Sequence, residues 1–166
     1  MFKGKLIGAI AVIACAFGAP AFAQADKQGG CVVDLKTTAE VEKEVVNDKG
    51  QKTRTLVPAG KVIPGTEVVW TVTASNGCKQ PSDKVVINNP VPEHMTLVPG
   101  SVIGAGSDIS YSVDGKSFAA VDKLTVTENG ATRPVRAEEI KFIRWEFKNS
   151  LQPGASAFGR FRAVLN

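Results

Sequence analysis

Histidine is all but missing from this chain, and most of the chemistry of a small hydrolase goes with it. The single histidine, His94, stands in the run Pro92-Glu93-His94-Met95. A serine–histidine–carboxylate triad would have to use it, yet no Gly-x-Ser-x-Gly run marks a serine as its nucleophile. A polar residue in a strand-exit turn needs no catalytic explanation. Cysteine is scarce as well: Cys15, Cys31 and Cys78 show no Cys-x-x-Cys spacing and no histidine beside them, so a metal or redox site lacks its ligand count. Gly100, Gly104 and Gly106 fall between strand candidates, with no helix N-terminus to receive a phosphate. Asp114-Gly115-Lys116-Ser117 lacks the Gly-x4-Gly-Lys-Ser/Thr frame of a nucleotide loop and reads as a hairpin turn. The expectation is a chain that is not an enzyme and has no catalytic residues, no cofactor and no metal.

Long apolar runs are absent except at the start. Lys3 and Lys5 precede an apolar segment from Leu6 to Phe17, and Ala21-Phe22-Ala23 offers a small-x-small cleavage site before Gln24. This is the pattern of a secretory signal peptide over 1–23, with Ala25 as a second candidate end. Two alternatives stay open: a retained membrane anchor, for which the segment is short, and a lipoprotein signal ending at Cys15. Removal of the signal leaves 143 of the 166 residues, enough for one domain with its own core. The expected organisation is a flexible lead-in over 24–30 and a single domain over 31–166. Without Lys3 and Lys5 the 20 basic side chains become 18 against 16 acidic ones, a balance that gives nucleic acid no electrostatic footing. The mature chain is expected to have no transmembrane segment and to reside in the periplasm or on the cell surface. There Cys31 and Cys78 are an even pair and an expected disulfide, worth roughly 4 kcal/mol by loop entropy. Two free thiols, or a metal site, are the alternatives.

What the chain does have is strand periodicity. After Pro64-Gly65, Val68, Trp70, Val72 and Ala74 alternate with Val69, Thr71, Thr73 and Ser75. Val32 to Val57 reads as a long hairpin about Asn47-Asp48-Lys49-Gly50; a helix over Ala39 to Val46 is the alternative its charges allow. Val85 to Ile87 gives a further strand, with Pro90 and Pro92 expected to stop it. Ile109 to Val113 and Ser117 to Ala119 flank the Asp114-Gly115 turn. Leu124 to Thr127 is short and ends at Asn129-Gly130; Arg133 to Glu139 is expected to be irregular or one helical turn. Ile140 to Phe147 and Ala155 to Leu165 close the chain. Trp70 and Trp145 sit in the inward phases of distant strands, as the core of two facing sheets requires.

The run Val85-Val86-Ile87-Asn88-Asn89-Pro90-Val91-Pro92-Glu93-His94-Met95-Thr96, then Val98-Pro99-Gly100-Ser101, resembles the conserved-repeat domain of bacterial and archaeal envelope proteins, catalogued as domain of unknown function eleven. The likeness continues through Tyr111 to Gly115, Ile143 to Trp145 and Leu151 to Gly154, and covers roughly Thr37 to Leu165. It implies an all-β, Ig-like antiparallel sandwich with a long N-terminal hairpin, and carries no shared catalytic residues.

One charge feature stands out. If the last two strands pair through Pro153-Gly154, Arg144, Arg160 and Arg162 share an outer face and form a guanidinium patch for anionic glycans or lipid headgroups. The alternative is a solvated face partnered by Glu146. The expected function is a secreted, non-enzymatic structural or adhesion-type module of the cell envelope whose partners are other envelope proteins or copies of itself. The alternative is a self-assembling subunit, of a filament or surface layer, that polymerises by strand addition through Val32 to Val46.

Overall fold

The alternation after Pro64-Gly65 becomes the middle of a five-stranded sheet. The computed structural model describes residues 32–166. The expected signal peptide, the lead-in, Cys15 and Cys31 lie outside the described residues. Over the described unit the strands are β1 (Asp34–Val46), β2 (Lys52–Pro58), β3 (Glu67–Ser75), β4 (Val86–Pro90), β5 (Met95–Leu97), β6 (Ser107–Ser112), β7 (Thr125–Glu128), β8 (Ala131–Pro134), β9 (Phe142–Phe147) and β10 (Ser156–Leu165). They form an antiparallel sheet of order β2-β1-β3-β10-β5, a second of order β4-β9-β6, and a separate β7-β8 hairpin. The fold is an all-β, Ig-like antiparallel sandwich with a long N-terminal hairpin.

That hairpin is closed by the turn its sequence announces. The Asn47 side-chain oxygen accepts from the amides of Lys49 and Gln51 at 3.0 and 2.9 Å, and Gly50 takes the positive φ, +75°, that L-residues avoid. β1 is staggered between two neighbours. Its first half, Asp34 to Glu40, pairs with β3, and its second half, Glu40 to Val46, pairs with β2. The β-branched run Val41 to Val46 is therefore strand, not helix.

Two faces meet in the core. Val68, Val72, Phe161 and Ala163 of the larger sheet oppose Ile87, Ile143 and Trp145 of the smaller, all buried. Trp145 is fully enclosed, pairs in register with Ile87 and Ile109, and donates its ring N–H to the Ile103 carbonyl at 3.0 Å. Its indole lies on the bare backbone of Gly159, where an added Cβ would stand 2.5 Å from the ring. Gly104 abuts the opposite edge of the same ring. Phe161 stands between the two tryptophans, with centroids 6.4 Å from Trp70 and 6.3 Å from Trp145. Trp70 is half-buried, against the expectation that both tryptophans are buried.

Four strand expectations need correction. β9 and β10 do not pair: β9 lies between β4 and β6, and β10 between β3 and β5. The Pro153-Gly154 turn crosses from one sheet to the other, because Ile143 and Trp145 must face Phe161 and Ala163 rather than lie beside them. β4 runs through Pro90 instead of stopping at Ile87; as an edge strand it has a side on which no amide donor is needed. Arg133 and Pro134 belong to β8, opposite Val126 and Thr125, and only then does a single 3₁₀ turn follow at Ala137–Glu139. Ser117 to Ala119 contributes only one bridge, Tyr111 to Ala119.

Candidate functional site

The arginine patch dissolves once the sheets are in place. Arg144 projects from β9 on one outer face of the sandwich, and Arg160 and Arg162 project from β10 on the other. Each already has partners. The Arg144 Nε donates to Asn88 at 2.7 Å, its guanidinium lies 3.7 Å from the Phe118 ring centroid, and Glu146 is 3.6 Å away. Arg160 donates to the Thr71 hydroxyl at 2.9 Å. Arg162 lies between Glu67 and Glu42, 2.7 Å from each, across a polar depression of about 360 Å³. The Arg162 guanidinium, by hydrogen bond and then by charge, holds the Glu42 carboxyl below its ordinary value. Glu67 and Glu42 in turn raise Arg162. Carboxylates offset Arg144 and Arg162, Arg160 is held by a neutral hydroxyl, and Arg144 lies on the opposite outer face from the other two, so the three do not make a common anion site.

His94 occupies a turn between β4 and β5 with φ +60°, and its backbone carbonyl accepts the Asn166 amide at 2.8 Å. Among the described residues no side chain hydrogen-bonds to its ring. Three or more metal-ligating side chains do not converge anywhere among the described residues. No helix there is long and apolar enough to cross a membrane. Cys78 is disulfide-bonded; Cys31, its expected partner, is outside the described residues.

Three polar constellations turn out to be structural, two of which sequence reading passed over. Asn76, read only as part of an Asn-Gly turn, is 1% exposed. Its amide donates to the carbonyls of Gln80 and Leu151 at 2.9 and 2.7 Å, and its oxygen accepts the Cys78 amide at 2.9 Å. It ties the loop after β3 to the loop before β10. In the Asp114 turn, the carboxylate accepts the amides of Lys116 and Ser117 at 2.8 and 3.0 Å and the Ser112 hydroxyl at 2.9 Å. Those bonds lower its pKa from 3.8 to about 2. Beside β8, Glu139 accepts two hydrogen bonds from Arg133 at 2.8 and 2.7 Å and the Arg136 amide at 2.8 Å, and its pKa falls to about 2 for that reason.

The remaining candidate is a surface of backbone. β2 ends at Pro58, and the Ala59 amide closes on the Ala39 carbonyl at 2.9 Å. That bond fixes the alternation of the strand: odd-numbered residues of β1 direct their N–H and C=O toward the β2 side, and even-numbered ones toward β3. Pro58 opposes Glu40, an even-numbered position, so its missing donor costs nothing. N-terminal to Ala39 the β2 side has no strand among the described residues. Val33, Leu35 and Thr37 therefore present unpaired backbone groups there, next to Val32 and Leu35 side chains that are 79% and 57% exposed. The sequence pointed to Val32 to Val46 as the strand-adding segment; the structure confines the open edge to its first half.

Comparison of the chain with family models, with curated proteins and with solved structures gave no match.

Proposed function

We propose that this chain is an exported, non-enzymatic structural or adhesion-type module of the cell envelope, akin to the conserved-repeat domains it resembles, and that it engages a partner chain, another envelope protein or a copy of itself, by strand addition at β1. The observation that carries this reading is the open edge at Val33, Leu35 and Thr37. Monomeric sandwiches ordinarily blunt such an edge with charge, proline or a covering loop; here exposed Val32 and Leu35 lie beside it, with Asp34 and Lys36 on the outer face of the same stretch. The signal-like start supports export. A Cys31–Cys78 disulfide, compatible with a bonded Cys78, suits an oxidising compartment.

The test uses the full chain expressed in a bacterium with its own first residues. Intact mass of the exported protein should correspond to cleavage after Ala23 and to two cysteines that alkylate only after reduction. A photo-crosslinking residue at Leu35 should capture a second polypeptide, whether another envelope protein or a copy of this chain, and one at Asp122, far along the chain on a 3₁₀ turn, should not. Retention in the cytoplasm, or equal capture at both positions, would overturn the proposal. The second reading, a polymerising subunit, is favoured by the same edge, because strand addition between copies builds chains when it does not close on itself. Electron microscopy of the exported protein separates the two: filaments support the polymer, and discrete particles support the module.

A further inference from the structure

The open edge of β1 is self-complementary, and we infer that its occupant is the same edge of a second copy of this chain, in a closed two-fold pair. The inference rests on the reading above that β1 is the working surface. The alternation set by the Ala59-to-Ala39 bond decides the register. Hydrogen-bonded antiparallel pairing needs outward-directed residues opposite one another, so odd-numbered positions of one copy must face odd-numbered positions of the other. Five symmetric registers centred on Val33 to Thr37 then remain; centring on Val33 leaves only the Val33 pair and its flanks among the described residues, and centring on Thr37 sets Leu35 against Ala39, whose carbonyl Ala59 already holds. Centring on Asp34 sets two carboxylates against each other. Centring on Lys36 sets two ammonium groups together and drives Val33 against Ala39, whose carbonyl Ala59 already holds.

Centring on Leu35 has none of these faults. Leu35 meets Leu35, and Val33 meets Thr37 twice, for about six inter-chain backbone hydrogen bonds. Asp34 meets Lys36 twice, at the non-hydrogen-bonded positions where side chains approach most closely. Neither Asp34 nor Lys36 has an ion-pair partner among the described residues, so the pairing competes with nothing. Both side chains share the outer face with Ser75 and Thr73, their register partners on β3. Leu35 and Val33 share the inner face, where the exposed leucine would be covered by its twin. The same end stop that leaves the edge open, Ala59 on Ala39, limits the pairing to this short stretch in both copies. Because the patch is isologous the assembly closes at two and does not propagate.

The experiment is sedimentation of the exported full chain over a concentration series, with charge exchanges at the two paired positions. Asp34→Lys alone and Lys36→Asp alone each create two like-charge contacts and should weaken the dimer on the order of tenfold. Asp34→Lys with Lys36→Asp restores both pairs and should restore the wild-type dissociation constant. Leu35→Pro removes a donor that points away from β3, so it should abolish the dimer while circular dichroism and the unfolding midpoint stay near wild type. A monomer at every concentration overturns the proposal, as does a dimer indifferent to the exchanges or an open polymer. The export result stands apart from all three, so a failed dimer leaves the module reading to its own test. A crosslink at Leu35 to a different protein with no self-association would assign the edge to that partner and sink the two-fold pair.

Discussion

Gly159→Ala tests how the two sheets are locked together. The added methyl would stand 2.5 Å from Cδ2 and Cε2 of Trp145 and 2.9 Å from Cζ2, where carbon atoms settle at about 3.5–4.0 Å. Something must therefore move by roughly 1 Å. The indole has little room to do so: its ring N–H is bonded to Ile103, Gly104 lies against its other edge, and the residue is 0% exposed. β10 cannot retreat either, because Gly159 is paired with Val72 in the middle of the larger sheet. Overpacking of this kind costs about 1–3 kcal/mol, and the rigid surroundings place Gly159→Ala toward the upper end. Against a total of roughly 5–15 kcal/mol for a domain, the urea midpoint should fall by about 1 M. Gly60→Ala is the control, since nothing lies within 4 Å of the added atom, and its midpoint should hardly change. Trp145→Phe should relieve part of the clash, giving a coupling of about 1 kcal/mol or more in a double-mutant cycle. Equal midpoints for Gly159→Ala and Gly60→Ala would refute the seating of Trp145 on β10.

Three further outcomes follow from the polar network and the turns. Asn76→Ala removes three hydrogen bonds made by a buried side chain, those to the Gln80 and Leu151 carbonyls and that from the Cys78 amide, and should cost about 1–3 kcal/mol in chemical denaturation; a neutral effect would mean that water replaces the amide freely. Asp114 has a folded pKa of about 2 against an ordinary 3.8, so the stability it contributes is fully present above 3.8 and lost as the pH falls through about 2. The stability difference between wild type and Asp114→Ala should accordingly shrink over that window in acid titration, and a difference that stays constant down to pH 2 would contradict the hydrogen-bond assignment. His94→Gly should be neutral or mildly stabilising, because φ at this position is +60° and glycine accepts it without strain; loss of a binding activity with the fold intact would give the imidazole a role this account denies it.

Much of the architecture was legible because period-two patterns encode it directly. The inward set of Val68, Val72 and Ala74, and that of Ile143 and Trp145, could be read from alternation, and Asn47 to Gly50 announced its own turn. Sheet membership could not be read. Nothing local tells whether β9 turns back on itself into β10 or crosses to the facing sheet; that choice is made by the inward faces of Trp145 and Phe161, which are complementary across the core rather than along one sheet. The arginine patch failed for the same reason, since it assumed neighbours that the crossover separates. Asn76 illustrates a different gap. An Asn-Gly pair reads as an exposed turn, and only the approach of the Leu151 loop, 75 residues away in sequence, converts its side chain into a buried tie. The open edge lay between these cases: the strand was visible, but the stagger that leaves its first half unpaired depends on where β2 stops.

Residue-resolved amide exchange along β1, measured on dilute and concentrated samples of the exported chain, reads the pairing of this edge with a second copy residue by residue. The amides of Lys36 and Thr38, which face β3, should exchange slowly at every concentration. Those of Val33, Leu35 and Thr37 should exchange fast when dilute and become protected as the chain is concentrated. Slow exchange at Leu35 and Thr37 in the dilute monomer would show the edge already covered, and fast exchange there at every concentration would show that no second copy pairs with it; either result contradicts the account.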